Sequence, residues 1–434
     1  MEKFSFYNVF VPFHKRHTIL YNSISGFYGL LTPRTCDILR RYENDVARLS
    51  VDYPEIYAAL RNNGCIVPEE IDEFQTVETI KYERRFNCSQ YQVIINPTMD
   101  CNLGCWYCYE QHIPDSEISD SLTRSIVAHL HFKYNKNPFK VLFLCFFGGE
   151  PMLKEKKILE LLDGAESFCK TSNVNLLVDF TTNCTILSDT MLERLKDFNV
   201  SFQITLDGDK TKHDEVRHYK NSKAGSYDKI LSNLRRITDN LVNYQIRLRI
   251  NCDNKTLRNR TDLLDGIDFL DRKKSVIAIH RVWQIDEKSM DKSRILQFVD
   301  EASRRNFKVE FMQLACLKEH ICYADLFNEA VINYNGDVFK CTAREFSQEN
   351  REGVLTDSGQ IVWDIDKIRK RAFLATPEIC KECKLYPACT GFCSQHLIEV
   401  GNMQQCRTLR ELPLEEHVTI NFQHRYLQKN FVRL

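Results

Sequence analysis

From residue ~90 to ~307 the chain alternates short apolar runs with amphipathic stretches of helical period. YQVIINPT, KVLFLCFFG, NLLVDFTT, VSFQITLD, QIRLRINCD and VIAIHRVW read as strands. Between them SDSLTRSIVAHLHFKY, KEKKILELLDGAESFCK, SDTMLERLKDF, SYDKILSNLRRITD and LRNRTDLLDGIDFLDR read as helices, and SRILQFVDEASRRN follows the sixth strand. Nearly continuous apolar strands separated by helices predict a parallel sheet covered by helices. The class is α/β, and six such units suit a partial, TIM-like (β/α)6 barrel better than a closed eightfold one. In such sheets chemistry sits at the C-terminal strand ends.

The first ~80 residues have another pattern. HTILYNSISGFYGLLT alternates like a hairpin turning at Ser25 and Gly26. TPRTCDILRRYE then starts a helix, with Thr32 as N-cap and Pro33 at its first position. YPEIYAALRNNG gives a second helix stopped by Gly64, and CIVP is short and extended. This is a small α+β unit of winged-helix type. After residue 308 the β/α rhythm stops and the chain becomes cysteine-rich and loop-like, ending in a tail, 411–434, that packs as a helix or strand.

Composition narrows the function classes. A chain of 434 residues with 59 basic and 59 acidic side chains carries no electrostatic footprint for nucleic acid or an anionic membrane. No apolar run approaches the ~18–20 residues of a spanning helix, and the N-terminus lacks a signal-peptide pattern. A cytoplasmic location is the expectation, with no nucleic-acid or membrane partner. Eighteen cysteines in that compartment are not expected to be disulfides, so clustered ones point to metal.

Three of them, Cys101, Cys105 and Cys108, stand as C-x3-C-x2-C directly after the first strand. Thiolates suit iron–sulfur clusters or zinc, and three ligands leave one coordination position open, as in catalytic sites. This spacing on a first βα loop closely resembles that of the radical S-adenosylmethionine (SAM) enzymes. The resemblance implies that the three thiolates hold a 4Fe–4S cluster whose fourth iron is chelated by SAM. Electron transfer then cleaves SAM to a deoxyadenosyl radical, which abstracts hydrogen from substrate. Gly148, Gly149 and Glu150 in FFGGEP end the second strand and are implied to meet SAM's amino group. Thr182 and Asn183 end the third and are implied contacts for its ribose or carboxylate. TLDG ends the fourth; Asp207 is a candidate to face substrate, and Arg217 a candidate partner for a carboxylate.

Eight further cysteines form a C-terminal ladder: Cys316, Cys322, Cys341, Cys380, Cys383, Cys389, Cys393 and Cys406. Eight thiols suffice for two fully ligated sites, and spacing alone leaves iron–sulfur and zinc open. The pattern resembles the SPASM extension of radical SAM enzymes. That resemblance implies auxiliary 4Fe–4S cluster I on Cys316, Cys322, Cys341 and Cys393, and cluster II on Cys380, Cys383, Cys389 and Cys406. Three clusters in all are expected, with electron transfer as the auxiliary role and a reductant such as flavodoxin or ferredoxin as partner. Cys36, Cys65, Cys88, Cys145, Cys169, Cys184 and Cys252 read as small buried residues.

Sulfatase-maturing members usually carry an aspartate after the cysteine of the G-x4-C element; here Thr342 stands there, a poor base at neutral pH. The N-terminal unit resembles the recognition element of ribosomal-peptide maturation systems, which binds a leader peptide as an added strand. The expectation is a radical SAM/SPASM peptide maturase, with anaerobic sulfatase maturation as the alternative. Its expected parts are a peptide-binding unit at 1–80, a radical SAM core at 81–307, a SPASM domain at 308–410 and the tail.

Overall fold

A computed structural model of the chain describes every residue except 14–15, 254, 283, 286–291, 312–320, 390–392, 402–405, 407–412 and 428–431. The described chain divides into two compact units. One comprises residues 1–86, 312–326 and 370–434; the other comprises 87–311 and 327–369.

The first unit opens with β1 (Glu2–Phe4) and an antiparallel meander of β2 (Asn8–Phe13), β3 (His17–Asn22) and β4 (Phe27–Leu31). Helices α1 (Pro33–Arg41), α2 (Val46–Asp52) and α3 (Pro54–Asn62) follow, then β5 (Ile66–Pro68), which returns antiparallel to β1, and α4 (Glu73–Arg85). The expected hairpin is present, with Gly26 in the left-handed region at φ 70°. Thr32 caps α1 by accepting from the Thr35 N–H, and Pro33 takes the first helical position. β2 is less legible because NVFVPF contains a proline, which a ladder tolerates at an edge, and β2 is the edge strand. The period of two sorts the meander into two apolar faces. Leu20, Phe27 and Leu31 pack with Ile38, Leu39 and Leu60 from the helices, while Val9, Ile19, Tyr21 and Tyr28 face the other way.

The second unit runs β6 (Gln90–Ile95), α5 (Asp120–Lys136), β7 (Val141–Phe146), α6 (Glu155–Ser172), β8 (Asn175–Thr182), α7 (Asp189–Leu195) and β9 (Asn199–Thr205). It continues through α8 (Lys210–Val216), α9 (Tyr227–Asn240), β10 (Tyr244–Cys252), α10 (Arg260–Gly266), β11 (Ser275–Arg281), α11 (Lys292–Arg304) and β12 (Lys308–Phe311). These strands lie side by side in chain order, all parallel, as the sequence pattern predicts for β6 to β11. Phe146, Phe180 and Phe202 share one register row of β7, β8 and β9. Their rings stack at 5.1 and 5.6 Å between centroids, fixing three strand ends relative to one another.

The parallel sheet extends beyond the six strands read from the pattern. β12 adds a seventh, too short to show a period. On the other side β13 (Glu329–Ile332) lies parallel to β6, followed by an antiparallel meander of β14 (Asp337–Phe339), β15 (Gly353–Leu355) and β16 (Ile361–Trp363). The G-x4-C element, Gly336 to Cys341, therefore has its middle residues, Asp337–Phe339, in this sheet as β14. α12 (Ile365–Ala372) leads back to the first unit.

There α13 (Glu378–Lys381), α14 (Tyr386–Cys389), α15 (Ser394–Val400), α16 (Leu414–Leu427) and β17 (Val432–Arg433) complete the chain. α16 places Val418 and Phe422, with Leu385 and Ala388, on the open apolar face of the N-terminal meander. Among the described residues no helix is long and apolar enough to cross a membrane.

His129 of α5 ties the second unit together. Its ring bonds the Tyr91 hydroxyl of β6 (2.6 Å) and the Gly359 carbonyl between β15 and β16 (2.8 Å). Burial pushes its pKa down to about 4, so the neutral ring belongs to the fold. The unfolded chain takes up this proton below its ordinary value of 6.5, so the contribution is complete above that pH and lost progressively towards 4. Over that window it amounts to about 3 kcal/mol. Urea unfolding at pH 7 and pH 5 should show His129→Gln less stable at pH 7 and less sensitive to the change than the parent.

Candidate active site

The loops after β6 and β7 are joined backbone to backbone. The Gly149 N–H donates to the Thr98 carbonyl (3.1 Å) and the Glu150 N–H to the Asp100 carbonyl (2.7 Å). A Cβ on Gly148, whose φ is +110°, would stand 2.3 Å from the Thr98 oxygen, and one on Gly149 would stand 2.1 Å from the Asp100 oxygen. The glycines are thus required by the neighbouring main chain, a demand distinct from the ligand approach expected of them.

Asp100 passes this constraint to the thiols. Its Oδ1 accepts from the Cys101 N–H (2.7 Å), and its own N–H donates to Thr98 Oγ1 (2.9 Å). Cys101 is buried, Cys105 half-buried and Cys108 exposed. Cys105 lies within electrostatic reach of both Cys101 and Cys108. Burial raises the thiol pKa values of Cys101, to about 12, and of Cys105, so protons leave readily only when a cation replaces them. Among the described residues no three His, Cys, Asp or Glu side chains stand closed around one point. The donor set itself, three thiols on one short loop, suits a soft, thiolate-bound centre.

Glu150 is fully buried, and both its oxygens are used. Oε1 accepts from the Met152 N–H (3.0 Å) and the Thr182 hydroxyl (2.6 Å), and Oε2 accepts from the Asn183 N–H (2.6 Å). Glu150 and Thr182 therefore hold the ends of β7 and β8 together, and their side chains are spent within the protein. Asn183 is equally engaged. Its Nδ2 lies 3.8 Å from Cys101 Sγ and 2.8 Å from Asn102 Oδ1, while Oδ1 accepts from the Thr185 N–H and hydroxyl. The expected group Gly148, Gly149, Glu150, Thr182 and Asn183 is thus brought together around Cys101.

Arg217, which as a lone sequence position is as compatible with a surface ion pair, is buried. Its Nη1 donates to the Tyr107 hydroxyl (2.7 Å) and stands 3.9 Å from Asp207 Oδ2. Its Nε is buried without a hydrogen-bond partner. Tyr107 in turn donates to Asp207 Oδ2 and accepts from Asn251 Nδ2 (3.0 Å) at the end of β10. Asp207 Oδ1 accepts from the Asn251 N–H (2.7 Å), so this carboxylate, a candidate to face substrate, is committed to its neighbours. Burial pushes its pKa up, and Arg217 and Tyr107 oppose that. Tyr107 and Asn251 escape a reading by motif. The signal for Tyr107 was its place inside the cysteine triplet, and Asn251 ends the fifth strand.

In the first unit the thiols of Cys380, Cys383 and Cys406 lie within electrostatic reach of one another, and Cys389 ends α14 nearby in sequence. α4 is fastened to this segment: Lys81 donates to Thr376 (3.2 Å) and Tyr386 (3.0 Å), and Arg85 donates to the Ala372 carbonyl (2.7 Å). Cys322 and Cys393 also belong to this unit, Cys341 belongs to the other, and Cys316 lies outside the described residues. Of the seven cysteines read as structural, five are buried and Cys36 and Cys88 are half-buried.

Residues 95–248 match the family model of the Radical SAM superfamily. A cysteine-type anaerobic sulfatase-maturating enzyme of Clostridium novyi is 29% identical over 168 residues, 37% of this chain and 43% of that protein. An uncharacterized protein of Methanocaldococcus jannaschii is 28% identical over 138 residues, 31% of this chain and 45% of that protein. The match spans less than half of each. Among solved structures, anSMEcpe with bound AdoMet aligns at a TM-score of 0.56 and 15% identity, over 78% of this chain and 96% of that one. SuiB of Streptococcus suis bound to precursor peptide SuiA aligns at 0.52 and 16%, over 92% and 97%. These two alignments show a shared fold.

Gly149→Ala should displace the cysteine loop, at a cost of about 1–3 kcal/mol for the overpacked contact. Thermal melting should show that loss, and iron bound per chain after anaerobic reconstitution should fall below the parent's.

Proposed function

We propose that this chain, which carries a radical SAM domain over residues 95–248, is a radical SAM/SPASM peptide maturase. Its reaction would abstract hydrogen from a residue of a ribosomally made precursor peptide, leading to a crosslink or another side-chain or backbone modification. One observation carries the reading. A three-thiol loop stands at the C-terminal rim of a parallel sheet, and a buried guanidinium with an unpaired N–H lies within its electrostatic reach.

Cys101, Cys105 and Cys108 would hold the 4Fe–4S cluster, which with SAM supplies the one-electron cleavage that starts hydrogen abstraction. Asn183 orients Cys101, and Glu150 and Thr182 hold the strand ends that face SAM. With the N–H groups of Gly149 and Glu150 already used, main-chain carbonyls of this loop remain for the SAM amino group. The free Nε of Arg217 suits its carboxylate. We assign 1–80 to peptide binding, 81–307 to the radical SAM core and 308–410 to a SPASM domain. The ladder would hold auxiliary cluster I on Cys316, Cys322, Cys341 and Cys393, and cluster II on Cys380, Cys383, Cys389 and Cys406. A flavodoxin- or ferredoxin-type reductant and a cytoplasmic location complete the reading.

The second reading, formylglycine formation in a sulfatase, is favoured by the Clostridium novyi relative and the anSMEcpe fold match. Against it stands Thr342, a buried hydroxyl where that chemistry expects a carboxylate.

Three clusters predict roughly twelve irons per chain, and replacing Cys101, Cys105 and Cys108 with alanine should leave roughly eight and abolish SAM cleavage. Zinc without iron would overturn the assignment. Arg217→Met should weaken SAM binding by about 10–100-fold in equilibrium dialysis, as expected for losing a charged hydrogen bond. Mass spectrometry after co-expression with a peptide encoded beside the gene should show a mass change. Formylglycine in a sulfatase-motif peptide would instead install the second reading.

A further inference from the structure

One face of the parallel sheet is polar, and register shows which. Tyr91 of β6, whose hydroxyl bonds His129 of α5, falls on the same face as Phe146, Phe180 and Phe202, so α5 packs on that apolar face. The opposite face carries Gln203 and Thr205 on β9, Arg247, Arg249 and Asn251 on β10, and His280 on β11. A barrel interior that only fills space is lined with branched apolar residues. Here Gln203, Thr205, Arg247 and Arg249 are half-buried and His280 is exposed, so water reaches this face.

The neighbouring charges on it have partners. Arg217 and Asp207 meet at the rim, Arg247 donates to Glu310 of β12, and Ser201 donates to Asp179. Arg249 differs. Its Nε donates to Asn251 Oδ1 (2.9 Å), and Asn251 Nδ2 donates to the Tyr107 hydroxyl (3.0 Å), so the guanidinium is tied to the hub beside the cysteine loop. Among the described residues no carboxylate stands within ion-pair distance of it, and its two terminal nitrogens donate to no protein acceptor. The side chains of Gln203 and of Thr205, the register partner of Arg249, make no hydrogen bond among the described residues either. Half-burying a guanidinium costs hydration, and no carboxylate of the chain offsets it at contact. Two free terminal nitrogens on a planar, anchored fork match a carboxylate with two parallel hydrogen bonds. Arg249 lies two residues, about 7 Å, deeper along β10 than Asn251.

We propose that Arg249 is a specificity-determining residue on the substrate side of the sheet, where it takes a carboxylate of the peptide and holds it below the rim. The carboxylate is an aspartate or glutamate side chain or the peptide's own C-terminus. The inference rests on the peptide-maturase reading and narrows its substrates to peptides that bring an acidic group to this face.

The reconstituted, SAM-loaded holoenzyme is titrated anaerobically by calorimetry with N-acetylated, C-amidated Ala-Glu-Ala, Ala-Asp-Ala and Ala-Gln-Ala, and with N-acetylated Ala-Ala-Ala bearing a free carboxylate. A carboxylate probe should bind about tenfold or more tightly than Ala-Gln-Ala, and whether side chain or C-terminus is preferred identifies the source. Arg249→Met should erase that preference and Arg249→Lys should keep part of it. Equal affinity or no binding across the probes, or a preference that survives Arg249→Met, would overturn the inference. So would loss of SAM binding in Arg249→Met, which would place the guanidinium at the cofactor. The comparison of probes on the parent needs no variant, so a variant that fails to fold cannot hide the result. Mass spectrometry of the co-expressed precursor separates the two claims. A modified precursor with no carboxylate preference sinks this inference alone, whereas a clear preference with SAM cleaved and the precursor unmodified sinks the maturase reading and leaves Arg249 a carboxylate site.

Discussion

The close approach of two main chains at the rim of the parallel sheet is the constraint on which the site depends. Gly148 and Gly149 admit the Thr98 and Asp100 carbonyls where no side chain fits, and two N–H groups lock the contact. Because Asp100 also receives the Cys101 N–H, the position of the first thiol follows from the pleat of β6 and β7. The stacked row of Phe146, Phe180 and Phe202 fixes the register a few residues earlier, and Glu150 carries the alignment across to β8. A reactive loop set on rigid strand ends is held more precisely than one on a free connection.

Charge is handled by enclosure. Arg217, Asp207, Tyr107 and Asn251 come from four different segments and are joined by hydrogen bonds and one ion pair in a buried position. A buried ion pair of this kind adds little net stability, and removing one partner would leave the other uncompensated. What it supplies is a guanidinium at a defined depth beside the cysteine loop, with its buried Nε–H unpartnered.

The first unit is assembled from distant parts of the chain. The N-terminal meander buries one face under its own helices and the other under α16 and the α14 segment, which arrive more than three hundred residues later. Sheet edge, apolar faces and the cysteine segment fastened to α4 thus share one unit. A change near the end of the chain reaches the β4 edge directly.

The six strands from β6 to β11, the hairpin with its Ser25–Gly26 turn, the Thr32 cap and the three-thiol loop were all legible in the sequence. Each is a local statement of hydrophobic period, turn chemistry or cysteine spacing, carried by neighbouring residues. Short strands such as β12 and β13 were not, because four residues hold too little period to separate strand from loop. Nor does any local pattern assign work to side chains that are far apart. That Glu150 and Asp207 are consumed inside the protein, that Arg217 is buried, and that Tyr107 is the hub between Arg217, Asp207 and Asn251 was decided by tertiary structure alone. The physical reason is that hydrogen-bond partners and burial depend on segments brought together through space, and the one-dimensional pattern does not encode which of them meet.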